Sequence, residues 1–515
     1  MSRDRALYFA DLAGNLLLEV SRPGYPGTQF GYDARRSLSE DLDHLVLALL
    51  PRCKSYVCEV MPADAPRAAF IKALFRLHCE HLQELRLSSH RPIEITFAEA
   101  ETLPMIAEQF PSLSTLTLGG VCLPFSHMLA SSRCTTISVS SSCEEVDCQH
   151  DYTIGLEVNR IVEALPTLRS LKVGQSGHSE AVHLVGLVTE SDPLDLHSAL
   201  VTFSATIEVL HIDMIPTIWP SVRQLKQLSL GHLRELQFHG MLVQPRVFVE
   251  EGDPRSKFEH TIYPFLQLLA ATPNLVRLNI EEWFWPSLSY VSEPLSFHTV
   301  CLPRLEEVLL FEVDEHYVGQ ILSRLKMPRL RILDLSTLFR SDATAFRFTD
   351  VMHGWDLPYL EEFKLSSSEE EGNTGDPTYP ALALGRMLRD GNLPRLQNLD
   401  VTNRGWVTET DLRDAIEALR DPSVVPSLVE LQISNSTPPV DPRWAEAAVQ
   451  ERNAHMGDDP ALRRLSITVL SGDMIDSDDD REVEEDRESE NEENDAVEYA
   501  SDGLVGIDSI ASDSA

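Results

Sequence analysis

Apolar residues recur along this chain in a short phrase in which alternate positions are apolar. One copy is PRLRILDL, which begins at Pro328. Within it, Leu333 and Leu335 are separated by Asp334, which is the period of a β-strand with one buried face. Proline has a fixed φ and no N–H, so Pro328 suits the point where a helix stops and a strand begins. The phrase predicts a short strand that buries both leucines and exposes Asp334.

The phrase recurs with a mean spacing of about 31 residues. Copies that open with proline begin at Pro111, Pro166, Pro273, Pro303, Pro358, Pro394, Pro426 and Pro460. Copies without proline begin at His81, Thr206 and His232, and two copies with cysteine at the first apolar position begin at Pro51 and Arg133. Such units bury their apolar faces only against their neighbours. The pattern therefore predicts one solenoid over residues 39–472, with about 13–14 irregular repeats.

Amphipathic helices precede several of these strands. One is predicted over residues 39–50, and an apolar stripe of Tyr317, Ile321 and Leu325 predicts another. Since strand, loop and helix alternate, the strands form a parallel sheet and the crossovers are right-handed. The predicted fold is an α/β right-handed solenoid with its parallel sheet on the concave face and its helices outside.

The leucine spacing resembles that of the irregular leucine-rich-repeat proteins of the fungal F-box-like and ribonuclease-inhibitor-like superfamily. The resemblance covers residues 40 to 470 and implies a horseshoe fold, but it says almost nothing about activity. Ordinary members carry Asn or Cys three residues after the last strand leucine, where this chain has His90, Val121, Trp283 and Arg404. We expect the backbone of those turns to be satisfied in another way.

The two ends of the chain depart from the repeat. Residues 12–20, LAGNLLLEV, share only their leucines with the opening of an F-box, so residues 1–38 are interpreted as an irregular N-terminal cap without a clear F-box. Residues 473–515 contain 18 acidic side chains against Arg481 and Arg487. Such a segment buries too little apolar surface to offset its ordering entropy, which predicts a disordered acidic tail.

Charge and cysteine content narrow the cellular setting and the classes of partner. The net charge of −38 argues against nucleic acid and anionic membranes, which need a basic footprint. Eight cysteines without regular spacing fit a reducing compartment. No run of about 20 apolar residues predicts a membrane span. We expect an intracellular protein, cytoplasmic or nuclear.

Sequence motifs of catalysis are missing, so we expect neither an enzyme nor a cofactor. The chain has no phosphate-binding glycine loop, nucleophile elbow or zincin helix. The nearest metal pattern is Cys143, Cys148 and His150, three ligand types without a fourth, and we interpret it as a polar surface loop.

Candidate partner-binding residues lie between and just after the strand leucines. The concave positions include Arg277, Asn279, Glu307, Asp334, Glu362 and Lys364. At the end of one strand, Trp283, Phe284 and Trp285 concentrate residue types typical of binding hot spots. Their rings either form an exposed rim or fill the core of the turn. In the tail, Ser477 and Ser489 precede acidic residues and are candidate sites for acid-directed kinases of the casein-kinase-II type.

These observations favour a non-catalytic scaffold that binds other proteins through its concave face. The resemblance implies a substrate receptor of a ubiquitin ligase, which without a clear F-box would need another contact with the ligase adaptor. Two alternatives stay open. Acidic leucine-rich nuclear phosphoproteins also join repeats to an acidic tail and bind histones and other basic proteins. The Ran GTPase-activating proteins share the layout and regulate a small GTPase.

Overall fold

The structure is a computed structural model of the chain, and every described residue lies between positions 18 and 470. The described residues are 18–22, 43–61, 67–94, 102–122, 126–129, 132–142, 153–176, 194–213, 217–240, 263–281, 299–314, 318, 321–338, 357–368, 384–402, 409–434, 442–455 and 464–470. The chain divides into two compact units, Met1–Ser471 and Gly472–Ala515, and all of these residues belong to the first. The predicted acidic tail lies outside them.

A long parallel sheet organises the first unit. Fifteen strands of the described part of the chain form it in sequence order, and each pairs in parallel with the next. They are β1 (Leu18–Arg22), β2 (Cys53–Met61), β3 (Glu84–Glu94), β4 (Thr115–Cys122), β5 (Thr136–Ser142), β6 (Ser170–Ser176), β8 (Val209–Asp213), β10 (Glu235–His239), β11 (Arg277–Glu281), β13 (Glu307–Asp314), β15 (Ile332–Leu338), β16 (Glu362–Ser368), β17 (Asn398–Thr402), β18 (Glu430–Ser434) and β19 (Ser466–Leu470). The parallel α/β architecture expected from the repeats is confirmed.

Helices and two short sheets connect these strands. The α-helices whose full bounds are described are α1 (Arg67–Phe75), α2 (Ile106–Gln109), α3 (Ser126–Leu129), α4 (Thr153–Ala164), α5 (Leu196–Phe203), α6 (Val222–Leu225), α7 (Tyr263–Ala270), α8 (Leu384–Asp390), α9 (Glu409–Leu419) and α10 (Pro442–His455). The short sheets pair β7 (Leu194–Asp195) with β9 (Thr217–Ile218), and β12 (Val300–Cys301) with β14 (Leu325–Lys326). Among the described residues, no helix is long and apolar enough to cross a membrane.

The strand period predicted from PRLRILDL is confirmed. Leu333 and Leu335 are fully buried, whereas Asp334 between them is partly exposed. The same register holds across the neighbouring strands, where Leu333 lies between Val308 and Phe363. One face of the sheet thus packs into a continuous apolar core, and its other face carries the outward positions of every phrase.

Proline begins a hydrogen-bonded turn before several of the strands. In the copy at Pro328, the N–H of Leu330 donates to the carbonyl of Met327 at 3.1 Å, which places proline at the second position of a β-turn. The two N–H groups that follow Leu330 then donate to the carbonyl of Glu306, one strand back, at 2.8 and 3.0 Å. This arrangement repeats along the array, so the backbone before the strands is satisfied without side chains.

Two of the positions that lack the usual asparagine are not turns. His90 lies within β3 and Val121 within β4, and both strands continue past the point where a regular repeat would bend. Val121 pairs with Ile93 of β3, so the sheet takes the place of a side chain there, whereas His90 lies where the register between β3 and β4 shifts. Trp283 and Arg404 lie outside the described residues.

Several boundary predictions differ from the structure. Residues 43–49 are helical, within the predicted helix 39–50. The helix predicted through Leu325 is wrong at its end. The backbone carbonyl of Arg324 accepts from Val300 at 2.8 Å, and that of Lys326 accepts from Leu302 at 2.9 Å, so Leu325 belongs to strand β14. The segment interpreted as a cap also contains β1, which pairs with β2.

A buried arginine closes the last repeats. One terminal nitrogen of Arg452 lies 2.8 Å from the carbonyl oxygen of Leu419 and 3.0 Å from those of Asp421 and Val424. The other donates to the carbonyl of Val425 at 2.9 Å. Helix α10 thereby supplies the donors that the carboxyl end of α9 and the turn after it lack. Burial lowers the pKa of Arg452, yet a guanidinium stays charged at any physiological pH.

Candidate protein-binding surface

The outward positions of the strands form two rows across the open face of the sheet. The first outward residues are Glu235, Arg277, Glu307, Ile332, Glu362, Asn398 and Glu430, in strand order from β10 to β18. The second outward residues are Gln237, Asn279, Leu309, Asp334, Lys364, Asp400 and Gln432. All six concave-face residues predicted from the sequence fall in these rows, on the adjacent strands β11, β13, β15 and β16.

Ion pairs link neighbouring strands in the first row. The Nε of Arg277 donates to the carboxylate of Glu307, and its NH1 lies 3.7 Å from Oε2 of Glu235. The hydrogen bond to Glu307 raises the pKa of Arg277. Since about half of the Arg277 side chain is exposed, water screens these pairs and they contribute little to stability. Their main effect is to hold the side chains in a defined order across the face.

Carboxylates crowd the second row. The Nζ of Lys364 lies 3.8 Å from Oδ2 of Asp334. Burial raises the pKa of Asp334 despite that lysine, and the nearby carboxylates of Asp400 and Glu362 add to the rise. Burial also raises the pKa of Asp400, with Glu430 adding to it. Burial and repulsion between neighbouring carboxylates therefore both disfavour the ionised forms of Asp334 and Asp400 on this face.

Two histidines on this face were not singled out from the sequence. The Nε2 of His211, on β8, is 2.7 Å from Oε1 of Glu235, and burial lowers the pKa of His211. The Nδ1 of His239, on β10, is 2.7 Å from Oδ1 of Asp213. His211 lies between two apolar residues of its phrase and His239 directly follows the last apolar residue of its phrase, so the strand period could have predicted both placements. No group of three metal-ligating side chains occurs among the described residues.

A β-bulge in β13 presents an aromatic side chain on the open face. The pairing between β13 and β15 shifts after Leu310, so that Phe311 and Glu312 together oppose one residue of β15. Glu312 adopts a left-handed backbone with φ of 51°, which L-residues other than glycine rarely do. Phe311, just before it, is 48% exposed. A bulge of this kind re-aims side chains and is common near functional sites.

Phe311 continues an apolar stripe at the centre of the two rows. Leu309 precedes it by two residues on the same face, and Ile332 lies on the neighbouring strand one step diagonally from Leu309. These three residues are called the Phe311 patch below. They occupy outward positions that are mostly polar in the neighbouring phrases, and they were not among the candidate residues predicted from the sequence.

The other strongly exposed apolar side chains have different surroundings. Among the described residues, only Val201 and Tyr359 join Phe311 as large apolar side chains that are exposed. Tyr359 stacks under the guanidinium of Arg395, with 4.6 Å between the ring centroid and Cζ. Val201 lies on α5 rather than on the sheet.

Several predicted site residues cannot be placed on this surface. Trp283, Phe284 and Trp285, the candidate phosphorylation sites Ser477 and Ser489, and the Cys143, Cys148 and His150 pattern all lie outside the described residues. The aromatic rim thus stays a prediction. Neither the scan against protein-family models nor the search of curated proteins finds a match to this chain.

Proposed function

We propose that this chain is a non-catalytic scaffold of the leucine-rich-repeat type, which binds other proteins through the open face of its long parallel sheet. The observation that carries the proposal is the run of outward side chains on successive parallel strands in one register. Strands about 4.8 Å apart make that face a broad, regular array. Such an array matches the extended surface of another protein better than a small molecule.

The chemistry of the face supports binding rather than turnover. Its charged residues are distributed along successive strands in ion pairs such as Arg277 with Glu307, which suits contact with an extended partner surface. Apolar residues at the centre with polar residues around them are typical of a protein interface. The roles in a ubiquitin ligase, in histone binding and in GTPase regulation remain predictions from the sequence.

Site-specific photo-cross-linking tests the scaffold. A benzophenone amino acid placed at Gln237, on the open face of β10, should form adducts with proteins of a cell extract. The same probe at Gln450, exposed on α10, should not. Equal adduct formation at the two positions, or none at Gln237, would overturn the proposal. The identity of the captured proteins then separates the three roles: a ligase adaptor, histones or a small GTPase.

A further inference from the structure

The Phe311 patch is an apolar site inside a charged surface. Leu309 and Ile332 are half-buried and Phe311 is 48% exposed, so a partner can remove further apolar surface from water at this point. The backbone at Glu312 is held in a left-handed conformation directly beside it. Strain of this kind persists where the surrounding structure imposes it, and it concentrates at ligand-binding positions.

Charges around the patch are predominantly negative. The outward positions of β11 to β17 carry five carboxylates and two cations, namely Glu281, Glu307, Asp334, Glu362 and Asp400 against Arg277 and Lys364. Glu281 lies opposite Phe311, and Asp334 lies opposite Leu309. Carboxylates therefore border the patch on both sides along the sheet.

We infer that the Phe311 patch receives an apolar side chain from a basic segment of a partner protein, whose lysines or arginines pair with the surrounding carboxylates. This inference rests on the proposed scaffold function and specifies the chemistry of its partner. An apolar anchor supplies the buried centre of the contact, and the flanking cations supply its orientation and its selectivity.

Charge complementarity selects this occupant over the others. A second copy of the chain brings a net charge of −38 to an already acidic face, and the segment after residue 472 brings 18 acidic side chains against two arginines. Burial raises the pKa values of Asp334 and Asp400, so a cation placed beside them removes an existing penalty. A lysine or arginine of a partner is such a cation.

Three synthetic peptides test the inference on the full chain by fluorescence anisotropy. The probes are KKKLFKKK, KKKSSKKK and EEELFEEE, each labelled with fluorescein. Because acidic residues elsewhere in the chain also attract lysine, the decisive quantity is the ratio between the first two affinities. We expect KKKLFKKK to bind at least tenfold more tightly than KKKSSKKK, and EEELFEEE to bind less tightly than either.

Two substitutions at equally exposed apolar residues locate the contact. Phe311→Ser should weaken KKKLFKKK binding about tenfold and leave KKKSSKKK binding unchanged. Val201→Ser is the control, because Val201 is also 48% exposed but lies on α5. Raising the salt concentration from about 0.1 M to about 1 M should weaken KKKLFKKK binding severalfold, since the Debye length falls from about 10 Å to about 3 Å.

Several results would overturn the inference. These are equal affinities for KKKLFKKK and KKKSSKKK, tighter binding of EEELFEEE, or an effect of Phe311→Ser no larger than that of Val201→Ser. Concentration-dependent dimers that Phe311→Ser abolishes in sedimentation experiments would instead identify a second copy as the occupant. If KKKLFKKK binds no more tightly than KKKSSKKK while the probe at Gln237 forms adducts, the proposed scaffold function is supported. Only the chemistry inferred for the partner is then refuted.

Discussion

Replacing Arg452 should disrupt the last repeats of the array. Its guanidinium is fully buried and lies within 3.0 Å of four carbonyl oxygens at the end of α9 and in the turn that follows. The turn includes Val425, a β-branched residue with φ of 48°. Such a conformation costs roughly 1–3 kcal/mol and persists only where its surroundings hold it. Arg452 is the side chain that ties this turn to α10.

The magnitude follows from the acceptors that Arg452→Met leaves unpaired. The contacts to Leu419 and Val425 are buried, whereas those to Asp421 and Val424 are partly open to water. A buried acceptor without a partner costs about 1–3 kcal/mol, so the two buried carbonyls together cost roughly 2–6 kcal/mol. Arg452→Met also removes a buried charge, and the desolvation cost that disappears with it offsets part of this loss. We expect a net loss of about 3 kcal/mol in the free energy of unfolding.

Urea denaturation and hydrogen exchange measure the effect and its location. Because repeat units contact only their neighbours, amides of β18 and β19 should lose protection while those of β3 and β4 keep it. Arg386→Met is the matched control, since that exposed side chain pairs, within the described part of the chain, only with Asp390 at i,i+4 and should cost about 0.5 kcal/mol or less. Arg452→Lys should remain destabilising, because one ammonium cannot reach all four carbonyls. If Arg452→Met proved as mild as Arg386→Met, the closing role of Arg452 would be refuted.

Four further predictions address other parts of the molecule. Leu333→Ala, at a fully buried position, should cost about 2–5 kcal/mol in urea denaturation, and a loss below about 0.5 kcal/mol would contradict the strand register. Asp334→Asn should raise Tm at pH 7 but not at pH 3. Burial raises the pKa of Asp334, so folding favours its protonated carboxyl. The stability that this carboxyl contributes is present at low pH and is lost as pH rises through the folded-state pKa. An equal change in Tm at both pH values would contradict this. At the left-handed position, Glu312→Val should be about 1–2 kcal/mol less stable than Glu312→Gly, and the reverse order would argue against the bulge. Iodoacetamide at pH 8 should alkylate the exposed Cys301 well before Cys134, where burial raises the pKa to about 11; peptide mass spectrometry of the native protein measures both, and equal rates would contradict the burial.

The repeated phrase predicted the sheet because its information is local. Alternation of Leu333, Asp334 and Leu335 determines which side chains face the core, and the spacing of the copies determines the strand order. For the same reason Arg277 and Lys364 could be assigned to the open face from the sequence alone. The site residues predicted there follow from a period of two and from nothing more.

Features that depend on contacts between distant parts of the backbone could not be predicted. Arg452 lies in a helix rich in charged residues, and its acceptors are main-chain oxygens about 30 residues away, which leave no sequence signal. The bulge was also not predicted, although strict alternation from Val308 and Leu310 would bury Glu312 and expose Val313, whereas Val313 is buried because the partner strand supplies one residue fewer. The helix predicted through Leu325 ends earlier because Leu325 pairs with Val300 in a short parallel sheet, which is another long-range contact.

The two residues other than glycine that are left-handed in the described part of the chain have opposite consequences. Strain at Val425 accompanies burial, since Val425 is only 4% exposed and its carbonyl accepts from Arg452. Strain at Glu312 accompanies exposure, since the neighbouring Phe311 is nearly half open to water. The left-handed backbone at Glu312 costs free energy while the adjacent Phe311 ring stays exposed. In the isolated chain, burial of that ring therefore does not offset the cost. In the proposed complex, burial of Phe311 against a partner would offset that cost, and this asymmetry is the reason to look for the partner at β13 rather than elsewhere along the sheet.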